Sequence, residues 1–202
     1  MEMRFVWEHL YLVGMASIFT IIMGLALGII SYLFESTRSV ILWLVDVFQT
    51  IPVLALLGFI MLIFGASSTT VIIGIVIYSL LPVVRNTYVG LNNIDSGIKE
   101  AAKGMGMTKI QRLIYVELPL SFPMIFTGIR IAVVTSIGTA VFGAVVGGGG
   151  LGSTINRAIL VQDMSTLLQA TFVLMIMAII FDFGMGYIEK RLNNKNTLRK
   201  EA

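Results

Sequence analysis

Residues 96–119 read SGIKEAAKGMGMTKIQRLIYVELP, a polar stretch in a chain that is otherwise mostly apolar. Its apolar residues recur at about helical spacing with lysines and arginines between them, which is typical of amphipathic helices lying outside a bilayer. Gly104 and Gly106 favour a sharp break between two such helices. Pro119 disfavours helical geometry at Leu118. The stretch therefore predicts a helix-turn-helix that projects from a membrane.

The overall composition is that of a membrane protein. Hydrophobic residues make up 57% of the 202 residues, charged residues only 12%, and the mean hydropathy is +0.94. A water-soluble domain of this size would lack the polar residues to cover its surface. Five apolar segments are each about long enough to cross a ~30 Å hydrocarbon layer as a helix. The sequence predicts one all-α, multi-pass domain over 1–202, with a loop at 92–118 between the third and fourth of the spans 10–34, 40–64, 70–91, 120–146 and 167–188.

The distribution of positive charge predicts the orientation of these spans. Eleven of the 14 lysine and arginine residues lie on the side of the 92–118 loop and the carboxyl end, two lie on the other side, and Arg130 lies within a span. Because cytoplasmic loops carry the excess of Lys and Arg, the loop and the carboxyl terminus are predicted to be cytoplasmic and the amino terminus outside. The first span is interpreted as retained, not as a cleaved signal peptide. The polar residues 190–202 predict a flexible cytoplasmic tail.

Cysteine and histidine usage argues against enzyme chemistry in this chain. There is no cysteine, which excludes disulfides, thiolate catalysis and Cys-ligated metals. His9 is the only histidine, and it is interpreted as a membrane-interface residue. No catalytic residue, metal site or resident cofactor is therefore expected. The sequence also contains no G-x-x-x-x-G-K-[ST] motif for binding nucleotide phosphates, so any ATP that drives this protein must be hydrolysed on another polypeptide.

A run of glycines follows the fourth predicted span. It formally satisfies G-x-G-x-x-G, but a dinucleotide site requires a strand before the motif, whereas an apolar helix precedes this one. We expect a non-helical re-entrant turn on the outer side, which is tolerated where protein or a water-filled cavity surrounds it. A channel selectivity loop is the alternative. The glycines concerned are Gly147, Gly148, Gly149, Gly150 and Gly152.

Four ionisable residues fall within or at the ends of the predicted spans: Asp46, Arg85, Arg130 and Asp182. Charges at membrane depth face the bundle interior and find partners. Arg130 is predicted to pair with Asp46, Asp182 or both, which would pin three helices together. The alternatives are that the arginines extend to the membrane interface, or that these residues contact a substrate.

Small and aromatic residues within the spans give weaker signals. Gly24 and Gly28 form a G-x-x-x-G spacing that favours close helix packing. Aromatic faces could attract a cationic substrate, although ordinary helix packing and membrane-interface contacts are the preferred explanation. The aromatic residues considered are Trp43, Tyr78, Phe142 and Phe172.

The polar stretch resembles a known motif. Glu100, Ala101 and Ala102 are followed, after three residues, by Gly106, and later by Val116, one residue, Leu118 and Pro119. This spacing resembles the EAA loop of ABC importer permeases, with Val116 in place of the usual Ile. Further likeness to the permeases of glycine betaine, carnitine and choline importers lies in the segments 49–58, 81–88, 116–120, 128–132 and 149–152.

The resemblance implies an alternating-access importer. It implies a second permease chain, identical or homologous, two cytoplasmic ATPases that bind ATP and Mg²⁺, and a separate extracytoplasmic binding protein, all at a bacterial cell membrane. In this family the EAA residues, here with Gly104, couple ATPase motion to the spans. Uptake of an osmoprotectant is expected, and methionine or ergothioneine are alternative substrates. The alternatives of another class are a passive channel, a membrane-embedded enzyme, and a basic loop that only sets topology.

Overall fold

The computed structural model describes residues 2–198, with side chains described as far as Arg191. Within this range nine α-helices are joined by short connections. They are α1 Met3–Leu33, α2 Glu35–Thr50, α3 Val53–Phe64, α4 Ser68–Asn92, α5 Ser96–Gly104, α6 Lys109–Arg112, α7 Leu118–Phe142, α8 Gly150–Leu160 and α9 Met164–Leu198.

Five crossings build the described part of the fold. The helices α1, α4, α7 and α9 are each long and apolar enough to cross a membrane, and the bent pair α2–α3 makes a fifth crossing. The α5–α6 hairpin marks one end of the bundle, where Lys99 lies over the ring of Tyr32 near the carboxyl end of α1. The glycine turn marks the other end, where Glu8 accepts a hydrogen bond from the backbone of Gly150. The predicted all-α multi-pass fold is confirmed, with four continuous crossings and a fifth if the bent α2–α3 pair spans the membrane.

The long helices extend beyond the predicted apolar segments. The first begins at Met3, not residue 10, because Arg4 and Glu8 form an i,i+4 ion pair of 2.6 Å that supports the helix in its polar first turns. The last continues as a helical backbone to Leu198. The backbone of residues 190–198 is therefore helical, residues 199–202 lie outside the described range, and the flexibility of the tail 190–202 stays a prediction.

Close packing between α1 and α4 forms the centre of the bundle. A Cβ atom added to Gly24 would lie 2.6 Å from Cβ of Val83, and one added to Gly28 would lie 2.6 Å from Cβ of Thr87. The two helices approach this closely only because both positions lack a side chain, which confirms the packing predicted from the G-x-x-x-G spacing. The largest buried apolar side chains are Leu12, Leu57, Ile75, Leu91, Ile137 and Leu151.

The second crossing is a broken helix, not the single span predicted over 40–64. Pro52 restricts Ile51 to extended geometry, with φ −71° and ψ 128°, and α2 and α3 are bent by 102° at this break. The hydroxyl of Thr50 donates to the carbonyl of Val47 at 2.7 Å, which satisfies one backbone acceptor that the break would leave free. The prediction erred because it weighed the length of the apolar run above the proline inside it.

The α5–α6 hairpin begins each helix with a side-chain cap. Asp95 accepts a hydrogen bond from the backbone of Ile98 at the start of α5, and Thr108 and Gln111 form a reciprocal capping box at the start of α6. Gly106, between the two helices, has φ +81°, a geometry that favours glycine. The predicted helix-turn-helix is confirmed.

A π-helical turn over Leu113–Glu117 joins the hairpin to α7. Leu118 itself is helical, with φ −61° and ψ −47°, so the break predicted before Pro119 is wrong. Pro119 lacks an N–H and its ring crowds the carbonyl four residues earlier. The wider π turn, in which the backbone N–H of Leu118 bonds to the carbonyl of Leu113, accommodates the proline without ending the helix.

The glycine segment forms a tight turn between α7 and α8. A 3₁₀ turn over Gly143–Val146 leads to Gly147 and Gly149, with φ +79° and +76°. The non-helical part is shorter than predicted, because Gly150 already begins α8. A side chain at Gly152, within α8, would collide with the backbone of Val141, so close packing and not backbone conformation requires that glycine.

The turn between α8 and α9 ends in a side-chain cap. The carboxylate of Asp163 accepts hydrogen bonds from the hydroxyl of Thr166 at 2.6 Å and from its backbone N–H at 3.1 Å. These bonds favour the charged carboxylate and hold the pKa of Asp163 below its usual value. Asp163 therefore caps the start of α9.

Candidate coupling site

The α5–α6 hairpin exposes small and apolar residues at one end of the bundle. Glu100, Ala101, Gly104 and Gly106 are all exposed, and a Cβ atom added at either glycine would meet nothing within 4 Å. Ala102 is different, because it is only 1% exposed and packs within the chain. The prediction that Ala102 lets a partner come close is therefore wrong, whereas Ala101 and both glycines remain accessible.

Large apolar side chains surround these small residues. Met105 is 69% exposed and Ile110 is 66% exposed, and Ile98 is also exposed on α5. A cluster of this kind on a polar hairpin is typical of a surface that contacts another protein. Leu118 and Pro119, the other two residues predicted for coupling, lie at the start of α7, where Leu118 is half-buried and Pro119 is exposed.

Lys99 anchors the first arm of the hairpin to the end of α4. Its ammonium donates to the carbonyls of Leu91 at 3.0 Å and Asn92 at 3.4 Å, which are acceptors left free at the carboxyl end of that helix. The positive charge also interacts favourably with the negative end of the helix dipole. The same ammonium lies 5.2 Å from the ring centre of Tyr32, within the range of a cation–π contact.

A buried ion pair anchors the second arm. The guanidinium of Arg112 donates to the carboxylate of Glu117 at 2.6 Å, and the Glu117 side chain is only 1% exposed. Residues five apart do not face each other on an α-helix, but the intervening π turn brings this pair together. The periodicity of an α-helix could not have revealed the pair, and the sequence analysis missed it.

The charges at membrane depth form two separate clusters. Arg85 donates from one nitrogen to both carboxylate oxygens of Asp46, at 2.9 and 2.8 Å, which joins α4 to α2. Arg130 donates to Asp182 at 2.8 Å and to Glu189 at 2.9 Å, which joins α7 to α9. The predicted pairing of Arg130 with Asp182 is confirmed, whereas the predicted alternative partner Asp46 pairs with Arg85 instead.

Glu189 is the member of the second cluster that the sequence analysis missed. It lies seven residues after Asp182, two turns along the same helix, so both carboxylates face the guanidinium of Arg130. The hydroxyl of Thr127 also donates to Glu189, and Gly186 leaves room for the guanidinium between the two carboxylates. The seven-residue spacing between Asp182 and Glu189 could have predicted that both carboxylates lie on the same face of one helix. Arg130, Asp182, Gly186 and Glu189 line a cleft of about 500 Å³.

At the glycine end, His9 is fully buried, which contradicts its predicted place at the membrane interface. Its Nε2 lies 3.1 Å from the carbonyl of Ile137, and its Nδ1 has no hydrogen-bond partner among the described residues. The neighbouring Glu8 pairs with Arg4 and accepts from the backbone of Gly150 at 3.1 Å. The carboxylate thus sits at the positive end of α8. These contacts fasten the first helix to the glycine turn.

The predicted pathway aromatics lie on four different helices. Trp43 on α2, Phe142 at the end of α7 and Phe172 on α9 are exposed, and Tyr78 on α4 is partly buried. Their placement does not identify a substrate cage, so a role in the pathway stays a prediction. In the part of the chain that the structure describes, no group of three or more His, Asp and Glu residues could hold a metal ion.

Comparison with known proteins identifies the class to which this fold and hairpin belong. Residues 18–194 match the family described as binding-protein-dependent transport system inner membrane component. The chain belongs to this family, and it is therefore a multi-pass transport subunit and not an enzyme. The EAA resemblance found in the sequence is consistent with this membership.

Individual relatives within this family are permease proteins of osmoprotectant importers. The chain is 37% identical over 195 residues to the carnitine transport permease protein OpuCD of Listeria monocytogenes, covering 96% of this chain and 87% of the relative. It is 38% identical over 188 residues to the glycine betaine/carnitine/choline transport system permease protein OpuCD of Bacillus subtilis, covering 93% and 82%. Among solved structures, the MetNI methionine ABC transporter in an inward-facing conformation superposes with a TM-score of 0.85 at 24% identity, covering 94% of both chains, which shows a shared fold.

Proposed function

We propose that this chain is the permease of an ATP-driven importer for small osmoprotectants that carry a quaternary ammonium group. Support comes from the names of relatives that match nearly the whole chain, including the osmoprotectant import permease protein OsmW of Salmonella typhimurium at 36% identity. Glycine betaine, carnitine and choline are the candidate substrates. Methionine and ergothioneine are the alternatives, and the likeness to the methionine transporter concerns the fold alone.

The working assembly in this proposal contains several chains. Two permeases, identical or homologous, enclose the pathway, and two cytoplasmic ATPases bind ATP and Mg²⁺. A separate extracytoplasmic binding protein delivers the substrate. The excess of Lys and Arg at the hairpin end supports a cytoplasmic hairpin and an amino terminus outside.

The proposed mechanism is alternating access driven through the hairpin. ATP binding closes the ATPase pair, the hairpin moves with it, and the permeases turn from inward-facing to outward-facing. Hydrolysis resets the assembly. The observation that carries this proposal is the exposed face of Ala101, Gly104, Met105, Gly106 and Ile110, which offers small residues and apolar contacts at the end of a polar hairpin.

The substrate is tested by uptake into proteoliposomes that contain the whole assembly. We expect radiolabelled glycine betaine, carnitine or choline to accumulate inside only when ATP is supplied to the ATPases and the binding protein is present. Accumulation of methionine or ergothioneine instead would contradict the proposed substrate class. Accumulation that persists without the ATPases would indicate a passive channel.

The docking face is tested by adding bulk to it. Ala101→Trp should prevent the ATPase from co-purifying, or leave ATP hydrolysis uncoupled from uptake, because the partner backbone could no longer approach. Gly14→Trp is the matched control, since it adds a similar volume where a Cβ atom meets nothing within 4 Å, far from the hairpin. Normal uptake and substrate-stimulated hydrolysis by Ala101→Trp would show that this face does not dock the ATPase.

A further inference from the structure

One residue of α1, Tyr32, lies close to both arms of the hairpin. The ring of Tyr32 lies beneath the ammonium of Lys99, which belongs to α5, at 5.2 Å from the ring centre. The phenol of the same residue lies beside the buried pair of Arg112 and Glu117, which belongs to the second arm. Tyr32 is therefore positioned between the two arms at the hairpin end of the bundle.

These contacts extend the connections that the chain itself supplies. The hairpin is linked covalently to α4, through residues 93–95, and to α7, through the π turn, but not to α1. Lys99 strengthens the first link by binding the carbonyl of Leu91. Arg112 and Glu117 brace the second link across the π turn. Tyr32 adds α1 to the helices that the hairpin holds directly.

Burial and charge make this cluster stiff. Glu117 is 1% exposed and forms its 2.6 Å ion pair where water has little access, so breaking the pair would leave an uncompensated buried charge. The Arg112 side chain is 21% exposed. The Arg112–Glu117 ion pair therefore opposes any bending at the base of the hairpin. Among the described residues, the exposed tip around Gly106 has no such pair.

We propose that Tyr32, Lys99, Arg112 and Glu117, here termed the Tyr32 joint, pass the movement of the hairpin into α1, α4 and α7 as one body. Tyr32 is a positioning residue in this arrangement, and it sets how much transport each hydrolysed ATP yields. The inference rests on the proposed function, because it needs an ATPase to move the hairpin. It adds to that function a specific mechanical link between the hairpin and the first crossing.

The first experiment measures the number of ATP molecules hydrolysed per glycine betaine accumulated in proteoliposomes. Tyr32→Leu removes both the ring and the hydroxyl, and we expect it to raise this ratio about tenfold, the middle of the range for mutations that alter coupling between distant sites. Tyr32→Phe keeps the ring under Lys99 and should raise the ratio less. Glu117→Gln, which removes the charge but keeps the shape, should raise it as well.

The control for Tyr32→Leu is a second tyrosine-to-leucine substitution on α1. Tyr11→Leu lies near the glycine end of α1, is 58% exposed in the wild type, and should leave the ratio unchanged. A loss of hydrolysis and uptake in equal proportion, or no change in Tyr32→Leu and Glu117→Gln, would overturn the joint. If Tyr32→Leu does not assemble, an unchanged ratio in both Tyr32→Phe and Glu117→Gln overturns it.

A second experiment does not depend on the substrate. Because the chain has no cysteine, Ile22→Cys on α1 and Lys103→Cys on the hairpin provide one pair of spin-label sites in each copy of the chain, and diluting the labelled chain with unlabelled chain isolates the distance within one copy. In the wild-type assembly we expect the same distance between the labels with and without trapped ATP, and in Tyr32→Leu two different distances. A nucleotide-dependent distance already present in the wild type would overturn the joint, whereas absence of glycine betaine uptake alone would count only against the proposed substrate.

Discussion

The guanidinium of Arg130 shows how single residues fix the contact between two crossings. It is partly exposed, at 30% of its side chain, and it binds Asp182 and Glu189 on α9. Partly exposed ion pairs contribute less to stability than fully buried ones, because they are less completely enclosed by protein. We therefore expect Arg130 to stabilise the α7–α9 contact moderately.

A double-mutant cycle measures this contribution. Arg130→Ala and Asp182→Asn should each lower the thermal stability of the purified assembly, and the double variant should lose less than the sum, with a coupling of about 1 kcal/mol. Asp46→Asn is the control, since Asp46 pairs with Arg85, and its effect should add to that of Arg130→Ala. Additive losses with Asp182→Asn would show that the pair contributes nothing to stability.

Residue patterns in the sequence predicted some of these contacts but not others. Membrane depth alone predicted a carboxylate partner for Arg130, either Asp46 or Asp182 or both, because isolated charges in hydrocarbon are costly. The choice between Asp46 and Asp182 was open, since it depends on which crossings are neighbours. The Arg112–Glu117 pair could not be predicted, because it depends on a π turn that no hydrophobic period indicates.

At the scale of elements, the contact between α1 and α4 depends on two missing side chains. Gly28→Ala places a Cβ atom 2.6 Å from that of Thr87, which forces the helices apart. We expect a loss of about 1–3 kcal/mol in stability, as for other overpacked interiors. The loss should appear as a lower midpoint of thermal unfolding in detergent.

The same helix supplies the control for that measurement. A Cβ atom added to Gly14 meets nothing within 4 Å, so Gly14→Ala should raise or preserve the midpoint through its better helix propensity. Equal effects of the two substitutions would mean that the close approach at Gly28 does not limit packing.

The π turn is the second element whose role can be tested. Pro119→Ala restores a backbone N–H and removes the ring that crowds the preceding turn, so the π turn is free to become α-helical. The hairpin would then rotate relative to α7, and Arg112 would separate from Glu117. We expect ATP hydrolysis to continue while ATP-dependent uptake falls.

Pro123→Ala is the matched comparison for this variant. Pro123 lies inside α7, which is α-helical from Leu118 onward, so no π turn immediately precedes it. Uptake by Pro123→Ala should therefore stay closer to wild type than uptake by Pro119→Ala. Full uptake by Pro119→Ala would show that the π geometry is not needed for coupling.

Most elements were predictable because length and apolar composition nearly determine a membrane span. Four crossings and the helix-turn-helix followed from hydropathy, amphipathic spacing and the glycines near Gly106. The broken second crossing did not, because a proline inside an apolar run is compatible with a kinked span as well as a 102° bend. Which outcome occurs depends on how neighbouring helices surround the exposed backbone.

At the scale of the whole molecule, the orientation in the membrane is a testable prediction. Lys103→Cys, on the hairpin, should react with an impermeant thiol reagent only from the cytoplasmic side. Ser165→Cys, in the first turn of α9, should react only from outside. Both positions are exposed, and the cysteine-free wild type is the blank. Labelling of position 103 in intact cells would reverse the orientation and the mechanism with it.

The ion pairs between α7 and α9 also have a consequence for the synthesis of the chain. Translation runs from the amino end, so Arg130 leaves the ribosome before Asp182 and Glu189 have been made. A lone charge at the centre of a membrane helix raises the free energy of insertion by about 2.5–3.5 kcal/mol. Arg130 lies in the middle of α7, and its charge is neutralised only when the final crossing arrives. The two carboxylates that pair with Arg130 therefore become available only after α9 has been synthesised, so the last helix supplies both partners of a charge placed in the bundle before it.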